Sequence, residues 1–468
     1  VVNSVAALDA GIAAIQLEQR LDIAFPDEVS AAAAHVTPRL PDLDRTDLAF
    51  VTIDPPGSMD LDQAMHLDRD GDGYVVHYAI ADVAAFVEPG GPIDVEARRR
   101  GETLYGADST IPLHPTALSE GSASLLPDQV RPAFLWTITL DARGEQTSAR
   151  VERARVRSTQ RLDYAGVQQQ LDAGTAGPVL ALLREIGSLR LAREAERGGV
   201  DLPMPEQEID CHATPWRLEF RAMLPVESWN AQISLLTGYA AARIMMDGKV
   251  GVLRTLPPAP DFAVDRLRHT ARGLRIDWPA DEGYPAFIRA LDPARPAHLA
   301  MITASTTLLR GAAYTAFDGT VPAQPLHAAL ASPYAHVTAP LRRLVDRFGL
   351  EVCAALCAGV PVPDWARSAL GDLPALMQAS GHRAHAYERA VLDLVEATTL
   401  AGRVGETFDG VVVELDHDDP HHGEATVRVP AVTAQVSGRG PLPVGTDVTL
   451  TLATADPTTR KVLFSYSG

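Results

Sequence analysis

The sequence predicts an α+β chain: a large mixed, largely antiparallel sheet packed with helices, followed by a small all-β barrel. Three observations carry that reading. Short β-branched or alternating apolar runs crowd residues 48–157, whereas residues 164–401 place apolar side chains at helical spacing. Beyond residue 403 the pattern returns to short alternating runs separated by turn residues. The length, 468 residues with 46% hydrophobic side chains, exceeds what one core serves and suggests about three domains.

Taken in order, residues 5–20 and 27–35 read as two short helices broken at Pro26. They mark off residues 1–40 as a helical module, either packed on the rest of the chain or part of a helix-turn-helix. Leu48 to Ile53 reads as a buried strand that ends at Asp54, because Pro55, Pro56 and Gly57 turn the chain. Strands at 65–67 and 74–83 flank Asp68-Arg69-Asp70-Gly71-Asp72-Gly73. That segment resembles half a calcium loop but lacks the downstream acidic ligand, so it is read as a hairpin tip. Residues 134–157 continue the strands, and helices are expected at 164–198, 226–246, 295–315, 340–358 and 373–401. Five strands at 407–415, 424–429, 431–436, 446–453 and 460–466 suit an OB-type barrel. The expected divisions are therefore 1–40, 41–402 and 403–468. His417, His421 and His422 lie among Asp416, Asp418 and Asp419; a polar hairpin tip is the preferred reading over a metal cluster.

A net charge of −19 argues on its face against an RNA partner, yet local clusters set the field a phosphate backbone meets. Arg98, Arg99 and Arg100 form one cluster; Arg342, Arg343 and Arg347 form another. Lysine is nearly absent, with only Lys249 and Lys461, so bidentate arginine contacts or a coding bias toward arginine both fit. No apolar run approaches the ~18 residues of a membrane span, and no charged-then-apolar leader is seen. A soluble, cytoplasmic chain without a membrane association is expected. Cys211, Cys353 and Cys357 are too scattered for a disulfide framework, and Cys353 and Cys357 are expected as stacked core thiols.

The segment Asp54-Pro-Pro-Gly-Ser-Met-Asp60-Leu-Asp62-Gln63 concentrates three carboxylates just after a strand. In an extended stretch Asp60 and Asp62 share a face while Leu61 points away. Carboxylates so close repel unless a cation separates them, and hard divalent ions take such oxygen ligands. A solvated Asp-rich turn is the alternative that spacing alone leaves open.

The flanking blocks narrow the choice. T-I-D-P-P-G-S-M-D-L-D-Q-A-M (52–65), Y-A-I-A-D-V-A-A-F-V-E-P-G (78–90), D-V-E-A-R-R-R-G-E-T-L-Y (94–105), I-P-L-H-P-T-A-L-S-E-G-S-A-S-L-L-P (111–127) and Y-A-H-V-T-A-P-L-R-R-L-V-D-R (334–347) occur in one order. From about 41 to 402 the chain resembles the catalytic (RNB) domain of the ribonuclease II/ribonuclease R family of exoribonucleases. The resemblance implies a 3′-to-5′ hydrolysis of single-stranded RNA to nucleoside 5′-monophosphates, dependent on Mg²⁺ with Mn²⁺ as a substitute and using two metal ions. It places the family's four acidic metal positions at Asp54, Asp60, Asp62 and Gln63, the last a departure that removes one carboxylate. It makes Arg342 the catalytic arginine, with Pro340 in the first turn of a helix aimed at the phosphate.

By the same resemblance Tyr105 stacks the terminal base, His336 and Arg343 hold RNA backbone, and Glu388 lies near the 3′ end of bound RNA. The second stacking aromatic would fall near Pro257 to Pro260, where none occurs. Two N-terminal cold-shock-type barrels of better-known members are missing from this sequence. The C-terminal barrel corresponds to a ribosomal-protein-S-one-like domain that grips RNA. A monomer without an obligate protein partner is expected. A catalytically weakened RNA-binding protein is the alternative reading, and a metal-dependent DNase a third.

Overall fold

The computed structural model describes residues 2–416 and 419–468. Helix Val2–Glu18 lays Leu8, Ile12 and Ile15 against the long helix Leu373–Leu400, and Gln16 donates to the Tyr387 hydroxyl at 3.1 Å. Helix Asp27–His35 follows Pro26 as expected and packs beside helix Pro92–Arg100. The N-terminal pair is thus bound to the main body.

Strands Phe50–Asp54, Gln63–Asp70, Gly73–Ala81, Val130–Leu140 and Gln146–Asp163 form a closed barrel. Neighbours are antiparallel until the last strand returns parallel to the first, with Asp54 opposite Asp163. Closure was not expected from sequence: the pairing that makes it joins segments about a hundred residues apart, where local alternation carries no signal. The Asp68–Gly73 segment is a hairpin tip, as expected. Between the third and fourth strands the chain makes an excursion through helix Pro92–Arg100, the small hairpin Leu104–Tyr105 with Thr110–Ile111, and a π-helical turn Ala117–Ser122.

Helices Tyr164–Asp172, Pro178–Arg197, Pro225–Gly248 and Leu344–Ala358 pack around this barrel and bury Val51, Ile53, Trp136 and Phe348 in one cluster. Two expected helices are shorter than the sequence suggested. The stretch 295–315 stops as an α-helix at Ser305, and Ala313–Asp318 is instead a strand paired with Val250–Thr255. Helix 340–358 begins only at Leu344, because residues 338–343 form a turn held by side chains. Pro340 therefore precedes the helix rather than opening it.

Strands Thr407–Asp416, Asp419–Val427, Val432–Gly438, Asp447–Asp456 and Lys461–Tyr466 close a second barrel, with one parallel pair between the third and fifth. His417 and Asp418 lie outside the described residues; Asp419 and His422 pair at 2.7 Å on an exposed tip. Core packing does not break near residue 402. Leu394, Val395 and Leu400 of the long helix share one cluster with Phe408, Leu450 and Phe464 of the barrel. Cys353 is buried, but Cys357 is exposed, which corrects the expectation of two core thiols. No helix of the described residues is long and apolar enough to cross a membrane.

Candidate active site

The acidic loop leaves the first barrel at Asp54 through a turn in which Ser58 donates to the Pro55 carbonyl and Gly57 takes φ +86°. That dihedral at the third turn position favours glycine. The chain then runs extended. Leu61 is fully buried, its N–H accepted by Ser124 Oγ at 3.0 Å, while Ser124 donates to the Met59 carbonyl at 2.6 Å. Pinning Leu61 inward turns Asp60 and Asp62 to the other side, as the alternation required.

Each carboxylate is held above its usual range. Burial pushes Asp54 up to about 6, helped by the charge of Asp60 and opposed by Arg342 and Arg161. Burial likewise raises Asp60, against the pull of its own backbone and of Arg342. Asp62 is fully enclosed and reaches about 8, although Arg342 and the Leu341 N–H favour its charge. Its Oδ1 accepts from Leu341 N at 2.7 Å and its Oδ2 lies 3.3 Å from Arg342 Nε.

Oxygens available to a cation are few. Among the described residues no three His, Cys, Asp or Glu side chains converge as a ready-made metal cage. Asp54 Oδ2, however, is buried without a hydrogen-bond partner, and Asp60 adjoins it closely enough for the two charges to repel. Mg²⁺ typically takes one or two carboxylates and completes its shell with water and substrate phosphate, so this pair fits it. Gln63 is differently placed: its Oε1 accepts from the Tyr78 hydroxyl and its Nε2 donates to the Thr338 carbonyl, both at 2.6 Å.

Arg342 keeps 47% of its side chain exposed and lies near the Tyr105 hydroxyl. Tyr105, 38% exposed, lines a cavity of about 260 Å³ with Asp60, Met59, Thr110, Glu120 and Leu341. Asp54, Asp60, Asp62, Tyr105 and Arg342 are thus brought together. The remaining expected residues are otherwise engaged. Arg343 forks onto Asp346 at 2.5 and 2.8 Å, and His336 Nδ1 bonds the Tyr314 hydroxyl at 2.7 Å. Burial, ahead of nearby arginines, holds His336 well below its ordinary value, so the ring is neutral. Glu388 is exposed on the long helix and has no ion pair among the described residues; its charge adds to that of Glu102.

The arginine clusters are corrected in the same way. Arg98 pairs with Asp94, Arg99 with Glu96 and Asp22, Arg100 with Glu96, and Arg347 with buried Asp94 at 2.6 Å. Most of their charge is spent internally, and Arg342 is the cluster member set beside the acidic loop. Sequence reasoning missed Tyr78, His114, Thr338, Asp346 and Glu120. The turn beneath Arg342 depends on the first four, and Glu120 adds negative charge beside Asp60. All five lie within the motif blocks quoted from the sequence, but their positions there carried no signal of role.

Clustered carboxylates, an arginine paired with one of them and a partly exposed aromatic beside the cavity make up the site. The chain belongs to the RNB family: the RNB domain matches residues 43–349, and the RNase II-type exonuclease C-terminal S1 domain matches residues 406–467. It is 30% identical over 326 residues to the probable exosome complex exonuclease RRP44 of Caenorhabditis elegans, covering 66% of this chain and 34% of that protein. It is 26% identical over 423 residues to ribonuclease R of Escherichia coli, covering 83% and 51%. The chain therefore spans between a third and about half the length of these relatives. Among solved structures, apo RNase R of Mycoplasma genitalium superposes with a TM-score of 0.87 at 21% identity, over 97% of this chain and 77% of that one. Yeast Ssd1, described as a pseudonuclease, superposes with a TM-score of 0.68 at 17% identity, over 86% and 52%. Both show a shared fold.

Proposed function

We propose that this chain is a hydrolytic exoribonuclease that degrades single-stranded RNA from its 3′ end, releasing nucleoside 5′-monophosphates. The observation that carries the reading is the cluster of Asp54, Asp60, Asp62 and Arg342 beside a cavity lined by Asp60 and the partly exposed Tyr105. Membership of the RNB family supports it. So does the solved complex of Mycoplasma genitalium RNase R with ribose-methylated single-stranded RNA, a structural neighbour at 21% identity.

Tyr105 offers a face on which a terminal base stacks without regard to its identity. Its hydroxyl lies near Arg342, so the stacked nucleotide lies next to the guanidinium. Arg342, steadied by Asp62, would neutralise charge that develops on the phosphoryl oxygens. Asp54 and Asp60 would hold Mg²⁺ or Mn²⁺, which when bound supplies an activated water and stabilises the leaving 3′ oxygen. The negative cavity repels a bare phosphate, so RNA and cation would enter as mutual counterions.

The test is a time course on a 5′-labelled single-stranded RNA with Mg²⁺, Mn²⁺ or EDTA, beside Asp62→Asn. Stepwise shortening to a small 5′-labelled product that needs the metal and Asp62 is expected. Intact RNA that still binds would favour the second reading, an RNA-binding protein of lapsed activity. That reading draws on Gln63 standing where the family resemblance implies a carboxylate, and on the pseudonuclease among the structural neighbours. Cleavage of a 2′-deoxy 3′ terminus at the same rate would point to DNA instead.

A further inference from the structure

The turn that delivers Arg342 is held at Thr338, Ala339 and Leu341 by side chains from two places in the chain, the adjacent Asp62 and Gln63 and the later Asp346. Gln63 donates to the Thr338 carbonyl at 2.6 Å, and Asp346 Oδ1 accepts the Ala339 N–H at 2.7 Å. Asp62 accepts the Leu341 N–H at 2.7 Å, and the buried His114 lies close to the Pro340 carbonyl between them. His114 is buried and held neutral, so it can donate one N–H and carries no charge toward the site. Arg342 comes next, and its own carbonyl accepts Thr103 N at 2.9 Å.

Gln63 is the member of this set whose chemistry departs from the family pattern. Its amide oxygen accepts the hydroxyl of fully buried Tyr78 at 2.6 Å. Ser234, which lies near the Tyr78 hydroxyl, meets Thr338 Oγ1 at 2.9 Å, so Thr338 is held through both its carbonyl and its side chain. A carboxylate at position 63 would accept from Tyr78 but has no N–H for the Thr338 carbonyl. The two oxygens would then face each other.

We infer that Gln63 is a positioning residue that fixes the Arg342 turn and supplies no ligand to the cation. This rests on the nuclease reading of the site. The glutamine exchanges a metal-binding charge for a donor that locks the arginine, leaving the cation to the remaining carboxylates and to the RNA phosphate.

The experiment compares Gln63→Met, Gln63→Glu and Tyr78→Phe by three measurements. These are Mn²⁺ titration of RNA-free protein, hydrogen exchange at the Leu341 amide, and kcat and KM on a short RNA. Gln63→Met should leave Mn²⁺ affinity within about threefold, speed Leu341 exchange, and lower kcat roughly 10–100-fold with KM little changed. Gln63→Glu should lower kcat even if its charge tightens Mn²⁺. Tyr78→Phe should act in the same direction, and the double variant should lose less than the product of the single losses. The inference is overturned if Gln63→Met weakens Mn²⁺ tenfold or more, or if Leu341 exchange is unchanged in both Gln63→Met and Tyr78→Phe. Should wild-type protein fail to cleave RNA, the nuclease reading falls, while Mn²⁺ affinity and Leu341 exchange still decide the role of Gln63. If Gln63→Met does not fold, the milder Tyr78→Phe carries the exchange test.

Discussion

The barrel at residues 50–163 and the barrel at residues 407–466 each close five strands with a single parallel pair, but the clustered acidic loop and the turn that covers it stand on the first. Strand number does not account for the difference. In the first barrel the acidic loop is covered by the turn at 338–343, whose backbone saturates Asp62 and Gln63 and whose Arg342 faces them. In the second, the polar tip carrying Asp419 and His422 stands in solvent with a local partner. A site arises where a distant segment desolvates polar groups and answers them; the barrel alone supplies a place to stand.

Four outcomes would break or sharpen this contrast. The largest is expected from Phe464→Ala in the second barrel. Phe464 is fully buried against Phe408, with ring centroids 5.7 Å apart, and its truncation should cost about 3–5 kcal/mol in denaturant unfolding. Since its cluster includes the long helix, the unfolding should involve residues 373–400 as well; separate melting of the barrel would show that the two do not share a core. Next comes Arg342→Ala, which should lower kcat roughly 10²–10³-fold with no loss of melting temperature. An equal fall in stability would mean that the arginine serves the fold.

The third concerns Glu396, buried on the long helix where it meets the second barrel. Its Oε1 accepts from Gln207 Nε2 at 2.7 Å and from Thr433 N at 3.3 Å, yet burial pushes its carboxyl up to about 7. A folded value above the unfolded one means that the native state binds the proton more tightly. The stability this gives is complete below about pH 4, and it is lost as pH rises through about 7. Glu396→Gln should therefore remove a decline on the order of 2–3 kcal/mol between pH 5 and 8. A wild-type stability that is flat over that range would contradict it. The smallest effect is expected from Tyr105→Ala, which should weaken binding of a short RNA by about 1–3 kcal/mol while the same change at Tyr466 in the second barrel does less. Equal losses would move base stacking to both barrels.

The two barrels were also unequally legible in the sequence. Strands of the second show alternation because one face is wet, and all five were anticipated within a few residues. In the first, strand Phe50–Asp54 is buried on both faces, and its pairing with Gln146–Asp163 leaves no local mark. At the site, Asp54, Asp60 and Asp62 could be read from spacing, and Arg342 and Tyr105 from resemblance. What Gln63 does was hidden, because its partners Tyr78 and Thr338 stand 15 and 275 positions away. Likewise the arginine runs look like phosphate patches until their carboxylate partners appear in space.

The turn beneath Arg342 has a consequence for the order in which the chain is made. Asp62 meets Leu341 across 279 positions, and Asp346 must also be present before the turn is held. A nascent chain that has folded only its first barrel would carry the three clustered carboxylates with Arg161 near Asp54 but without Arg342. The acidic loop would then reach its final arrangement only after residue 346 has been made, so on the nuclease reading a chain released before that point would be expected to be inert toward RNA.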